Sequence, residues 1–299
     1  ILNLLHKKLK DIEQHESIVT NTTFDGFNRT IYLKNKKCIK TNLVLSADGK
    51  KSQLRKLLAI KTVVKKNNHI AVSGFLRQSR NHNSTALQAF TEIGPVGILP
   101  FENKNIVNFV LSIERNKYDH LISKSNSQQF IADKLNQFFS KINLTFQPIK
   151  KVNNIDNKLS NWPLDLNFVI NPTSYRTLLI GDAAHSIHPL AGQGLNLSMR
   201  DCVAVINSIE KILKFGKDLG DEDVLNFYKK SRLPDTIAMT AFTDLLFYGF
   251  TKTPKKFQEK LSNGMENINQ SNFKNIFKDW NKNKKDNKEL IAKNFFKKK

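Results

Sequence analysis

The clearest pattern of apolar and polar positions lies in the last third of the chain. An apolar run over residues 178–180 is too short for a helix and ends at a Gly-Asp pair, as a buried parallel strand does at a ligand crevice. Pro189, Gly192 and Gly194 then interrupt regular structure. Apolar residues return at helical spacing, namely Leu195, Met199, Cys202, Val203, Ile206 and Ile209. The pattern predicts a strand, a loop and a helix.

Alternating patterns predict strands in two earlier regions. Residues 17–46 contain the extended stretches SIVTNTTFDGF, RTIYLKN, KKCIKTN and LVLS. Residues 69–114 contain four more, HIAVSGFLRQ, STALQAFTEIG, GPVGILPFE and NIVNFVLSIE, which predict an antiparallel sheet. Helical spacing over 118–142 predicts a helix behind that sheet. Acidic residues at 221–223 predict the start of a last helical region, with a break at Pro234.

Composition and charge narrow the class of protein. The chain of 299 residues is long enough for two domains, and its hydrophobic content of 39% supports a core. The sequence contains no run of about 18 apolar residues, so it predicts no membrane-spanning helix. Two cysteines, Cys38 and Cys202, favour a reducing cytosol over a disulfide framework. The net charge of +22 comes from lysines spread along the chain, which argues against nucleic-acid binding and leaves attraction to an anionic membrane face.

One motif carries a resemblance to a known family. The text GDAAHSIHPLAGQGLNL, followed by Arg200 and Asp201, resembles the second flavin motif of FAD-dependent aromatic-ring monooxygenases, most closely the ubiquinone-biosynthesis hydroxylases. The resemblance implies that Asp182 hydrogen-bonds the ribityl chain of FAD and that the helix start faces the flavin ring. A helix N-terminus stabilises an anionic reduced flavin by about 0.3–2 kcal/mol. The implied cofactor-binding residues are Gly181, Asp182, Pro189, Gly192, Gln193, Gly194, Leu195 and Asn196.

A second motif precedes the first by more than a hundred residues. In LSADGKKSQLRKLLAI a strand ends at Asp48, Ser52 can cap the next helix, and Arg55 lies one turn inside that helix. The text is similar to the ADG-x-x-S-x-x-R motif of the same monooxygenases. That similarity implies that Asp48 and Arg55 belong to the cofactor site, with Asp48 near the flavin diphosphate. The alternative is that Asp48 only forms a turn.

Candidate pocket residues follow from a third stretch. AFTEIGPVGILPF resembles the substrate-domain strand pair of the family, which implies Phe90, Pro100 and Phe101 as an apolar pocket wall, with core packing as the alternative. His188 joins them because it can face the ring. The apolar face at 242–250 is interpreted either as core or as a surface that dips into a membrane.

The resemblance also implies a fold class, α/β with an α+β substrate part. It consists of a Rossmann-like FAD-binding domain of the p-hydroxybenzoate hydroxylase type and an antiparallel-sheet substrate domain. No G-x-G-x-x-G occurs and the chain starts at Ile1, so we expect an N-terminally truncated sequence that lacks the first βαβ unit. The predicted division is 1–62 and 171–215 for the FAD-binding domain, 63–170 for the substrate domain, 216–278 for C-terminal helices and 279–299 for a Lys-rich tail.

The implied reaction is hydroxylation of the ring of a polyprenylated phenol in ubiquinone biosynthesis. The resemblance implies that bound FAD reacts with O2 to a C4a-hydroperoxide, with electrons from NAD(P)H or a redox protein. Because the cofactor carries the hard step, no residue is assigned as catalytic. The implied location is cytoplasmic and peripheral to the cytoplasmic membrane, alone or in a biosynthetic complex.

Several alternatives stay open at this point. A soluble aromatic-compound hydroxylase and a flavin-dependent prenyl reductase would share the flavin motifs, and the non-enzyme alternative is an inactive fragment or a basic binding module. By residue type, Asp182, His185 and His188 form a metal set. Pro189 and the glycine loop break the helix that would align them, so we predict no metal site.

Overall fold

We describe the protein from a computed structural model. It covers residues 9, 11–122, 126–153, 155–188, 193–251 and 253. The strands are β1 (Val19–Phe24), β2 (Arg29–Leu33), β3 (Cys38–Thr41), β4 (Val44–Ser46), β5 (Thr62–Lys65), β6 (His69–Gln78), β7 (Leu87–Thr91), β8 (Gly94–Pro100), β9 (Ile106–Glu114), β10 (Phe146–Pro148), β11 (Lys151–Val152), β12 (Ile155–Asp156), β13 (Ser160–Pro163), β14 (Leu166–Val169), β15 (Thr173–Ser174), β16 (Thr177–Leu179) and β17 (His185–Ser186). The helices are α1 (Gln53–Leu57), α2 (Arg115–Ile122), α3 (Ser127–Phe139), α4 (Gln193–Leu213) and α5 (Glu222–Thr251).

The predicted parallel strand is present and sits at the centre of the site described below. β16 pairs in parallel with β4, and Leu178 and Leu179 are fully buried. Its apolar side chains pack on helices α4 and α5, where Ala204, Val205, Leu225 and Tyr228 form one buried cluster with Leu178. The hydroxyl of Tyr228 donates a hydrogen bond of 2.8 Å to the carbonyl oxygen of Leu179. The strand β16 and the helices α4 and α5 are thereby packed together.

The large antiparallel sheet is also confirmed. Its strand order is β10-β6-β9-β8-β7, and β13 pairs with the far part of β6. The predicted helical region behind it consists of α2 and α3 followed by a 3-10 turn at Ser140–Ile142. Side chains of the sheet and of α3 share the main core, which includes Val72, Phe109, Leu111, Leu135 and Phe146. All of these elements lie between residues 69 and 163.

A small sheet connects the two parts. Its order is β17-β14-β5, so β14 pairs with the strand that leads into the large sheet and with a strand inside the flavin-like motif. The predicted early strands form the separate meander β1-β2-β3, whose Ile31 and Leu33 pack on Leu54 of α1. This small sheet therefore joins the segment before the large sheet to the flavin-like motif.

The predicted break at Pro234 is wrong, because α5 continues through it from 222 to 251. A proline inside a helix costs about 3 kcal/mol through a lost hydrogen bond and a steric clash. Asp235, the next residue, accepts hydrogen bonds from Arg200 of α4 and from Arg232, and these fix the turn against its neighbour. Pro234 itself is exposed, so water can reach the carbonyl group that lacks its donor.

The outer face of α5 is apolar over three turns. Its exposed residues recur at helical spacing, and they are Pro234, Ile237, Ala238, Ala241, Phe242 and Leu245. Phe242 is 44% exposed and Leu245 is 59% exposed, so the core interpretation of these two residues is wrong. We call these six residues the apolar stripe. Among the residues that the structure describes, no helix combines the length and hydrophobicity needed to cross a membrane.

Candidate functional site

The two sequence motifs meet at the ends of parallel strands. Because β4 and β16 run in the same direction, Asp48 and Asp182 follow them at the same sheet edge. Arg55 joins the two motifs, donating hydrogen bonds of 2.5 Å to the carbonyl of Ala183 and 2.7 Å to that of Lys50. Arg55 is 7% exposed, and its link to Ala183 spans 128 positions of sequence. Arg55, which the sequence assigned to the cofactor site, thus contacts the main chain of both motifs.

Asp48 is engaged by its own helix. One carboxylate oxygen accepts a hydrogen bond of 2.6 Å from the Ser46 hydroxyl, and the other accepts from the N–H groups of Gln53 and Leu54 at 2.8 and 3.1 Å. Burial opposes ionisation, but hydrogen bonds from the two serine hydroxyls, Ser46 and Ser52, and from the backbone outweigh it and lower the pKa of Asp48. The carboxylate therefore stabilises the start of α1.

Asp182 is placed differently from Asp48. Its side chain is exposed and forms no hydrogen bond to another residue that the structure describes. Gly181 before it adopts a φ of +58°, and its N–H donates 2.8 Å to Asp201. A Cβ at Gly181 would lie 3.1 Å from the Ser198 hydroxyl of α4, so glycine permits both the turn and the close helix.

Lys50 is a site residue that the sequence interpretation missed. Its ammonium group donates hydrogen bonds to the carbonyl oxygens of Asp165 at 2.6 Å and Pro163 at 3.3 Å. Burial lowers the pKa of Lys50, while the nearby carboxylates of Asp165 and Asp182 act in the opposite direction. Lys50 thus ties the strand end to the turn between β13 and β14 and adds a cation close to Asp182.

The first turn of α4 is open on the side expected for a ligand. Leu195 is 68% exposed and Asn196 is exposed, whereas Leu197 is fully buried. A Cβ placed on Gly194 would meet no atom within 4 Å. Pro189 and Gly192 lie outside the described residues, as does the side chain of Gln193. The free N–H groups of a helix start attract negative charge, so this turn can hold an anionic or electron-rich group.

Asp201 holds the turn and both helices together, and the sequence interpretation gave it no role. It is fully buried and accepts hydrogen bonds from the Gly181 N–H at 2.8 Å, from His185 Nε2 at 2.7 Å and from Arg232 Nε at 2.7 Å. Burial opposes the charge of Arg232, but the carboxylates of Asp201 and Asp235 outweigh it and raise the pKa of that guanidinium. His185 therefore holds the turn against α4. In the sequence, this contact corresponds to Asp201 in the text RD that follows the motif and to Arg232 in the text SRLPD of α5.

His188 is buried against α5. Its ring stacks on Phe247 with 4.0 Å between centroids, and Nε2 lies 3.3 Å from an oxygen of Asp244 without the alignment of a hydrogen bond. Burial lowers the pKa of His188 to about 4, aided by His69 and Lys65 and opposed by Asp244. His185 and His188 thus occupy separate environments, one beside Asp201 and the other beside α5.

The other predicted pocket residues are separated along one hairpin. Phe90 pairs with Pro95 beside the turn that joins β7 and β8, whereas Pro100 ends β8. Pro95 and Pro100 are five positions apart, which corresponds to roughly 17 Å of strand. Phe101 packs edge-on against Phe75 at 4.9 Å. The structure brings Pro100 and Phe101 together and leaves Phe90 apart.

Comparison with known proteins finds a family match and several similar sequences. The sequence matches the family described as FAD binding domain over residues 7–243. It is 30% identical over 244 residues to the mouse (Mus musculus) "Ubiquinone biosynthesis monooxygenase COQ6, mitochondrial", covering 72% of this chain and 51% of that protein. It is 28% identical over 232 residues to the Escherichia coli K12 "3-demethoxyubiquinol 3-hydroxylase", covering 77% and 56%. The chain spans about half the length of these curated relatives.

A solved structure shares the fold. The crystal structure of PqsL, a probable FAD-dependent monooxygenase from Pseudomonas aeruginosa, superposes with a TM-score of 0.65 over 84% of this chain and 70% of that chain, at 19% identity. This likeness confirms the predicted fold class, an α/β chain with an antiparallel-sheet part.

The buried contact between Asp201 and Arg232 yields a stability prediction. Arg232→Met leaves the Asp201 carboxylate buried without its cationic partner, so we expect a loss of about 3–5 kcal/mol in the free energy of unfolding. Urea unfolding followed by circular dichroism measures it.

Two variants test the reason for that loss. The double variant Asp201→Asn with Arg232→Met removes both charges and should lose less than Arg232→Met alone. Lys217→Met breaks an exposed ion pair with Asp223 and should lose under about 1 kcal/mol. Equal losses for Arg232→Met and Lys217→Met would contradict the anchoring role of Asp201.

Proposed function

Because the chain belongs to the FAD binding domain family, we propose that it is the FAD-carrying part of a monooxygenase that hydroxylates the ring of a polyprenylated phenol. The family match confirms the resemblance inferred from the motifs. The observation that carries the proposal is that Gly181 and Asp182 directly follow the parallel strand β16 and that residues 193–197 begin α4, with Asp182, Leu195 and Asn196 exposed.

The described residues fit this cofactor. Asp182 offers an exposed carboxylate to the hydroxyl groups of a ribityl chain, and Leu195 offers an exposed apolar surface to a flat ring. Gly194 leaves room for a close approach, and the start of α4 favours negative charge beside it. Arg55 and Asp48 take a supporting part, since hydrogen bonds already engage them with the chain.

The chemistry of such a reaction belongs to the bound cofactor. A bound FAD would supply the activation of O2, with electrons from NAD(P)H or a redox protein. The protein's part is to bind the ring, orient it and exclude water. β14 pairs with β17, which lies inside the flavin motif. We assign the surroundings of the substrate to residues 63–170, which contain β14 and the large antiparallel sheet.

The substrate class rests on the relatives. One is named a ubiquinone biosynthesis monooxygenase and is 30% identical to this chain, and the other is named a 3-demethoxyubiquinol 3-hydroxylase and is 28% identical. Their substrates carry the aromatic ring and the long apolar tail that the names imply, so we assign a polyprenylated phenol to this chain as well.

We further propose that the apolar stripe of α5 rests on a membrane surface. A long prenyl tail partitions into lipid, so an enzyme acting on it gains by standing at the bilayer face. The stripe offers exposed apolar side chains, and the net charge of +22 favours an anionic leaflet by about 1 kcal/mol for each well-placed cation.

The function is tested by product analysis. The flavin-loaded protein is incubated with NAD(P)H, isotope-labelled O2 and either 2-geranylphenol or phenol, and the products are analysed by mass spectrometry. We expect one labelled oxygen atom in the prenylated ring and little product from phenol. Preferential oxidation of phenol would favour a soluble aromatic hydroxylase, and saturation of the prenyl chain without oxygen uptake would favour a reductase.

Cofactor binding is tested at Asp182. Asp182→Ala removes the charged acceptor of hydrogen bonds from the ribityl hydroxyl groups. A hydrogen bond to a charged group contributes about 1.5–3 kcal/mol, so the Kd for FAD should rise by roughly 10–100-fold. Flavin fluorescence titration measures this change. Asp119→Ala removes an exposed carboxylate from α2 and should leave the Kd unchanged. Equal affinities of the two variants, or a wild-type protein that binds no FAD, would overturn the assignment.

Membrane contact is tested on the stripe. Phe242→Ser with Leu245→Ser removes two exposed apolar side chains and should weaken binding to phosphatidylglycerol-containing vesicles by roughly tenfold or more. Vesicle sedimentation measures the bound fraction. Phe27→Ser, in the exposed turn between β1 and β2, is the matched control and should bind like wild type. If the control loses as much binding as the double variant, the stripe is not the contact.

A further inference from the structure

Buried hydrogen-bonding atoms without partners gather where α5 meets the two sheets. They are Asn67 Nδ2, His188 Nδ1 and Nε2, Thr240 Oγ1 and Asp244 Oδ1, none of which bonds to a described residue. Asn67 follows β5, His188 follows β17, and the other two lie one turn apart on α5. Each such atom costs about 1–3 kcal/mol, and native proteins keep few of them. The group therefore points to a polar ligand.

The centre of this group is the pair His188 and Asp244. The imidazole is fully buried and stacked on Phe247, and its Nε2 lies 3.3 Å from Asp244 Oδ1. The second oxygen of Asp244 accepts a hydrogen bond of 2.8 Å from Lys65 Nζ. The Asp244 side chain is 20% exposed, so the pair reaches the surface on the side of α5 and Lys65.

The charge state of the pair is set by its surroundings. Four titratable or charged groups face His188, namely Lys65 of β5, His69 of β6, and Asp244 and Tyr248 of α5. Burial, His69 and Lys65 together lower the pKa of His188 to about 4 against the effect of Asp244. At neutral pH the imidazole is therefore neutral, with one N–H donor and one acceptor nitrogen.

A hydroxyl group satisfies this arrangement. It donates its hydrogen to the Asp244 carboxylate and accepts one from Nε2–H of the neutral imidazole, so it satisfies both Asp244 Oδ1 and His188 Nε2. The ring of Phe247 stacks on His188 with 4.0 Å between centroids and is itself fully buried, so it fixes the imidazole in place. The half-buried ring of Tyr248, whose centroid lies 6.3 Å from that of His188, offers an apolar edge for an attached aromatic ring.

We propose that His188 and Asp244 bind the free hydroxyl group of the phenolic substrate and so select hydroxylated rings over rings that lack the group. The inference rests on the proposed function and assigns its specificity to two residues. Methylation of the hydroxyl removes its only hydrogen and leaves Asp244 Oδ1 unpaired. Sites that hydrogen-bond a substrate hydroxyl reject the analogue without it by up to about 10⁴–10⁵-fold.

The test compares 2-geranylphenol with its methyl ether. In the wild-type protein we expect the phenol to be favoured in kcat/KM by roughly a hundredfold or more. His188→Leu and Asp244→Asn should each reduce this ratio by at least about tenfold, because one of the two hydrogen bonds is lost. Lys66→Met changes an exposed neighbouring lysine and should keep the wild-type ratio.

Calorimetric titration with the same two ligands separates this inference from the proposed function, because it needs no turnover. A wild-type preference for the phenol that disappears in His188→Leu supports the site even if no product forms. Equal binding of phenol and ether to the wild-type protein overturns it and leaves a bound water as the occupant of the pair. A ratio that stays at the wild-type value in both variants overturns it as well.

Discussion

The buried carboxylate of Asp201 is the contact on which the site depends. It joins the end of β16 through Gly181, the following turn through His185 and helix α5 through Arg232, while itself lying on α4. An isolated carboxylate would be very costly in this position, since it is fully excluded from water. Three donors compensate that cost, so strand, turn and both helices are positioned by one charge.

Single side chains also join distant segments where the two motifs meet. Arg55 reaches from α1 to the carbonyl of Ala183, and Lys50 reaches from the same motif to the main chain of Asp165. Both cations bind carbonyl groups rather than carboxylates. The exposed carboxylate of Asp182 is thereby left available beside the exposed first turn of α4, where we propose that the flavin binds.

Local sequence patterns predicted the elements that local forces determine. The apolar run at β16, the alternating strands of the large sheet and the apolar spacing in α4 are properties of neighbouring residues, and the structure has all three. Contacts between distant residues were not predictable in the same way. Asp201 meets Arg232 and His188 meets Asp244 only after folding, and Pro234 remains helical because Asp235 is held by Arg200. The contact of Asp48 is local, since its carboxylate accepts a hydrogen bond from the N–H of Gln53 at the start of the next helix, α1.

One helix, α5, carries contacts of three kinds. Arg232 faces the interior, Ile237 to Leu245 form an outward apolar row, and Asp244 meets His188. Arg232 and Asp244 are separated by twelve positions, roughly 18 Å of a helical rod. An insertion or deletion of a single residue between them would rotate one end by about 100° against the other, since a turn takes 3.6 residues. A change in the length of α5 between these two residues would therefore break the contact of Arg232 or that of Asp244, whereas substitutions on its outer face leave both contacts in place.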